Sequence, residues 1–70
     1  MKKLILSEAV ADQQYTFRDY IVYVNEAEDD YVSMFKVKSN GQVGKLTQAF
    51  VLYADGWRSM NDTATGWARI

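Results

Sequence analysis

An all-β fold is what this sequence predicts: a small curled sheet of about five antiparallel strands in meander order, with at most one short N-terminal helix. Three observations carry it. The dipeptides Asn40-Gly41 and Asp55-Gly56 each separate runs rich in Val, Phe, Tyr and Trp. Such pairs favour two-residue hairpin turns, in which both central residues reach positive φ. Proline is absent, and all four glycines (Gly41, Gly44, Gly56 and Gly66) fall in the second half, where they punctuate the chain. Five Tyr, three Phe and two Trp in 70 residues supply the bulky side chains that strands prefer.

Taken in order, residues 2–6 suit a short strand and residues 7–14 a turn of helix. Residues 15–25 have two readings. Phe17, Tyr20, Ile21 and Val24 recur at helical spacing. They support an α+β alternative, with a helix near 13–25 on a three- to four-stranded antiparallel sheet. Against it, Tyr20 to Val24 are β-branched or aromatic throughout, and strand is preferred. Leu46, Ala49, Phe50 and Tyr53 also match a helical stripe. There the Asp55-Gly56-Trp57 turn signal favours strand. Residues 31–60 then form a three-stranded meander, and residues 63–70, with Trp67 and Ile70, dock as an edge strand.

The two turns imply faces, because side chains alternate along a strand. A loop at Asn40-Gly41 pairs Val37 with Gly44, Phe35 with Leu46, Ser33 with Gln48 and Tyr31 with Phe50. A loop at Asp55-Gly56 pairs Ala54 with Trp57 and Leu52 with Ser59. The expected core face is Tyr31, Phe35, Val37, Leu46, Phe50, Leu52 and Trp57. The opposite face gathers Lys36, Lys38, Lys45, Tyr53 and Arg58, a candidate binding face, with Met34, Val51 and Met60 beside them. A bulge at Gly44 would shift the register and overturn these faces from Lys45 onward. Tyr15, Tyr23, Tyr53 and Trp67 are the aromatics least suited to so small a core.

The segment from Asn25 to Asp30 carries Glu26, Glu28, Asp29 and Asp30 with no cation among them. It reads as a solvated acidic contact loop before the meander, set apart from the basic face.

Seventy residues make a single small domain, residues 1–70. A chain of this size buries only about 60% of its unfolded surface, so self-association is an even alternative to a lone monomer. No cysteine or histidine is present. That removes disulfide staples, the usual zinc ligands and the commonest general base. The serines therefore have no histidine to activate them, and no enzyme activity is expected. Glu26, Glu28 and Asp30 alternate like the first ligands of a calcium loop. Tyr31 stands where that loop needs glycine and Val37 where it needs glutamate, so no metal site is expected. No glycine-rich phosphate loop occurs, and no cofactor is expected.

Lys2 and Lys3 precede only a short apolar stretch, too short for a secretory leader. No run is long enough to span a membrane. A cytoplasmic location is the resulting expectation, with no membrane partner.

Surplus aromatics, Met and Arg are the residue types enriched at protein interfaces, and an exposed strand edge could add a partner strand. The expected function is a non-enzymatic binding or regulatory module acting by stoichiometric protein–protein interaction. Chains of this size and composition are common among phage and mobile-element inhibitors of host or defence machinery, though no motif assigns a family. Two alternatives stand beside it: nucleic-acid binding through the basic, aromatic sheet face, and a structural subunit of a homo-oligomer.

Overall fold

In the computed structural model, which describes residues 1–60 (the Leu46 side chain excepted), five strands form one sheet. They are β1 (Gln14–Phe17), β2 (Tyr20–Ala27), β3 (Tyr31–Val37), β4 (Val43–Tyr53) and β5 (Gly56–Ser59). Each pairs antiparallel with the next, in the order β1-β2-β3-β4-β5. The only helical piece among the described residues is a 3-10 turn at Leu6–Glu8. The expected edge strand at 63–70, with Trp67, lies outside the described residues, as does the expected core role of the Leu46 side chain.

The predicted fold class is therefore the observed one, and the helix near 13–25 does not form. That segment instead makes two strands joined at Arg18-Asp19, with Arg18 at φ 55°. The helical spacing has a simple origin. A two-residue hairpin loop, like a helical turn, brings residues i and i+3 together. Phe17 pairs directly with Tyr20, and their rings meet edge to face at 6.2 Å.

The strand expected at residues 2–6 shrinks to a parallel bridge between Lys3 and Thr16. The Leu4 N–H donates to the Thr16 carbonyl at 2.8 Å, and the Thr16 N–H donates to the Lys2 carbonyl at 2.9 Å. The chain then crosses one face of the sheet through the 3-10 turn. It rejoins β2 at Asp12, whose φ is 65° and whose N–H donates to the Val24 carbonyl at 2.8 Å.

This N-terminal crossing covers the core. Val22, Val24, Val32 and Met34 are fully buried, with Leu4, Tyr15 and Phe50 nearly so. Leu6, Ala9, Phe17, Tyr20, Ala27 and Trp57 pack around them. Tyr15, expected outside the core, lies within it. The phenol oxygen accepts a hydrogen bond from the Val10 N–H at 3.0 Å, so its polar tip is satisfied while the ring is buried.

Two irregularities set which residues face inward. In β2, Val24 pairs with Met34 but Glu26 pairs with Ser33, leaving Asn25 as an extra residue. The parity changes there, so Ala27 rather than Glu26 turns toward the core opposite Val32. In β4, three residues (Gly44, Lys45 and Leu46) lie between the partners of Val37 and Phe35, where β3 offers only Lys36.

The expected register of β3 on β4 is accordingly wrong by one residue. Phe35 pairs with Thr47 rather than Leu46, and Tyr31 with Val51 rather than Phe50. An odd slip exchanges faces. Val32 and Met34 occupy the core in place of Tyr31 and Phe35, while Phe50 and Val37 remain buried.

The loop is also longer than expected. Lys38 and Gln42 close it, the Lys38 N–H donating to the Gln42 carbonyl at 2.8 Å. Of Asn40 and Gly41, only Gly41 has positive φ, at 88°, which excludes the expected turn type.

The second hairpin slips by two. Leu52 pairs with Trp57 and Tyr53 with Gly56, so the loop is Ala54-Asp55 and neither of its residues has positive φ. An even slip preserves faces. Trp57 still packs against the core, although Leu52, expected inside, is 41% exposed near the end of its strand. Among the described residues, no helix is long and apolar enough to cross a membrane.

Candidate functional site

Successive hairpins in a meander turn at alternate ends of the sheet. The loops at Arg18-Asp19 and 39–41 therefore share one end. The connection at 28–30 and the Ala54-Asp55 turn share the other. This separates the sequence-derived candidates into two groups.

Lys36, Lys38 and Lys45 gather at the first end. Pairing between β2 and β3 stops at Val22 and Lys36, although β2 begins at Tyr20 and β3 ends at Val37. Beyond that pair lies a fork of about 750 Å³. Gln14, Asp19, Tyr20 and Ile21 line it from the first hairpin; Lys36, Val37, Lys38, Ser39, Gly41, Gly44 and Lys45 line it from the β3–β4 side.

The bulge in β4 shapes this wall. A Cβ on Gly44 would meet the Lys36 carbonyl oxygen at 2.9 Å, closer than backbone atoms allow, and the Lys38 stem at 3.7 Å. Only glycine lets β4 press this closely on β3. Lys36 sits opposite Val22, on the core side of the sheet rather than the opposite face expected for it. Its ammonium lies over the Tyr20 ring, 4.8 Å from the centroid. Lys38 and Lys45 are exposed. Among the described residues, none of these three lysines forms an ion pair; the pair present is Arg58 with Asp55.

Tyr53 and Arg58 belong to the other end. The Arg58 guanidinium donates to the Asp55 carboxylate at 2.7 Å and covers the Tyr53 ring at 4.8 Å from the centroid. Lys45 and Tyr53 are eight residues apart on β4, which at the usual strand rise is about 26 Å. The expected basic face is thus two separate places, and at the second the cation is already partnered.

The acidic residues join Arg58 and Asp55 at that far end. Glu26, on β2, and Glu28, Asp29 and Asp30, in the connection to β3, are all exposed. The Glu28 N–H donates to the Tyr31 carbonyl at 2.7 Å. The Asp30 carbonyl accepts from the Leu52 N–H at 2.9 Å, tying the loop to β4. No group of three or more His, Cys, Asp or Glu among the described residues is placed to hold a metal ion.

A second surface was missed in the sequence. The outer face of the sheet carries Ile21, Tyr23, Tyr31, Phe35, Val51 and Tyr53, as the pairs Tyr23 with Phe35 and Tyr31 with Val51 require. The chain crossing that covers the core lies on the other side. Tyr23, Tyr31, Phe35 and Val51 are half-buried by their neighbours in the sheet, and Tyr53 is 51% exposed. The signal that could have found them is the run from Val22 to Val24. Once those two valines face inward, Tyr23 and its partner Phe35 must face outward.

At the N-terminal edge of this face, the Tyr23 hydroxyl donates to the Asp12 carboxylate at 2.5 Å. That hydrogen bond raises the phenol above its ordinary pKa of 10.0, with partial desolvation and the Asp12 charge acting in the same direction. No protein-family model, curated protein or solved structure matches this chain.

Proposed function

We propose that this chain is a non-catalytic module that binds a protein partner stoichiometrically through the outer face of its sheet. The observation that carries this proposal is the aromatic and aliphatic set on that face, Tyr23, Tyr31, Phe35 and Val51, with Tyr53 at its margin. A single sheet normally buries its apolar faces against another layer. Here residues 2–13 supply a layer for one face; no described residues cover the other, and a partner would supply that layer. The described residues extend over about 37 × 25 × 17 Å. A face bounded by the two longer dimensions is comparable with the ~800 Å² that each partner buries in a standard interface. The absence of histidine and cysteine favours action by occupancy over catalysis.

The test is affinity capture from the native source with wild-type chain and with Phe35→Ser, followed by titration of the purified captured protein. A single partner bound near equimolar ratio, and lost in a variant whose circular dichroism is unchanged, is the expected result. Identical capture by both proteins would remove the outer face from the interaction. No capture at all would sink the proposal.

A further inference from the structure

We propose that the fork between the two hairpin ends is a binding site for an acidic peptide segment, one presenting consecutive carboxylates. The proposal shares with the function above only the expectation that the ligand is a protein; it concerns a different surface.

Three lysines line one cleft and none forms an ion pair among the described residues. Among the described residues, one carboxylate, Asp19, lies on the facing wall. Three positive charges against one negative charge along the described lining favour an anion in the cleft. The cleft is also built rather than incidental. Lys36 is held by the Tyr20 ring, and the Lys38 stem lies along Gly44, where the β4 bulge presses on the Lys36 carbonyl. Its floor includes Val37, which is buried, and Ile21, which is 36% exposed. An extended peptide can place carboxylates on the lysines and its apolar stem atoms on that floor.

Charge alone would also admit single-stranded nucleic acid, and two features count against it. Nucleotide binding of that kind needs an open aromatic face for base stacking. The one aromatic among the described residues that line the fork, Tyr20, has Lys36 over its ring and Phe17 against it. A phosphate chain that ran on along the sheet would meet Glu26, Glu28, Asp29 and Asp30 at the far end. A short acidic segment that ends within the fork avoids them.

The test is fluorescence anisotropy with two labelled probes of equal formal charge, an oligo-glutamate and an oligodeoxythymidine of about four units each, at low and physiological salt. The expected result is binding of the oligo-glutamate that weakens with salt, falls about tenfold or more in Lys38→Glu with Lys45→Glu, and is kept in Arg58→Glu. Both substituted lysines are exposed, and circular dichroism checks that the fold survives. Amide NMR shifts of the wild-type chain locate the probe without any substitution, and should move at Lys38, Gly41 and Gly44. Tighter binding of the oligodeoxythymidine, shifts confined to other residues, or no binding of the oligo-glutamate would each overturn the proposal. Because Phe35→Ser leaves the fork intact, it should bind the oligo-glutamate as wild type does, so failure at the fork and failure at the outer face are read separately.

Discussion

Met34 and Phe35 are neighbours in β3, of similar size and both apolar. Met34 is fully buried, while Phe35 is only half-covered on the other side of the same sheet. The difference comes from what lies above each. Over Met34, residues 2–13 cross the sheet and Leu4, Leu6 and Ala9 pack down. Among the described residues, no such crossing covers Phe35 on the outer face. The two faces teach that in a one-layer protein, alternation divides the side chains but the connecting chain decides which half becomes core.

The sharpest way to break this comparison is to truncate both neighbours. Met34→Ala should cost about 2–5 kcal/mol, the range for emptying a buried site of this size, read by urea denaturation. Phe35→Ala must cost clearly less if the outer face is not core. Equal losses would mean that both faces are equally buried and that the outer surface is no interface.

Gly44→Ala comes next, at about 1–3 kcal/mol, because its Cβ collides with a backbone oxygen that cannot swing away. A neutral result would show that the bulge relaxes easily. Phe35→Ala itself should cost about 1 kcal/mol, in keeping with half-burial.

The smallest effect belongs to Tyr23. Its phenol should titrate above 10.0 in the folded chain, by ultraviolet difference absorbance, and return toward the ordinary value in Asp12→Asn. The sign follows from linkage. A raised phenol pKa means that the folded state holds the proton more tightly, so this contribution is complete below pH 10.0 and is lost as pH rises through the folded value. Tyr23→Phe should remove that alkaline component and little else.

The fold class was legible because its signals are local. Turn dipeptides and β-branched runs do not depend on distant partners. Register was not legible, because it depends on loop length and on extra residues. Asn40-Gly41 did mark a turn, but Ser39 joined the loop, and Gly44, Lys45 and Leu46 then stood opposite Lys36 alone. The resulting odd slip reversed the faces of β3. At Asp55-Gly56 the slip was even, so the location was misread and the faces survived.

The same physics governs the site. Lys36, Lys38 and Lys45 flank one turn in sequence, so their meeting could be read directly. Tyr53 and Arg58 were joined to them by a shared parity, which says nothing about position along a strand. The Asn25 bulge, which turns Ala27 inward and Glu26 outward, had no sequence signal stronger than the asparagine itself.

One consequence of the left-handed residues at Asp12 and Arg18 concerns association rather than folding. These two corners confine β1 to four residues, Gln14–Phe17. Along its outer side, the Thr16 N–H and carbonyl are already engaged by Lys2 and Leu4, and Lys2 and Lys3 stand exposed beside them. A short edge strand, partly paired by its own chain and flanked by lysines, is a poor template for a foreign strand. The β1 edge is thereby a poor site for the edge-to-edge pairing by which small sheets aggregate, and a partner reaching this side of the protein must come from a face or from the fork.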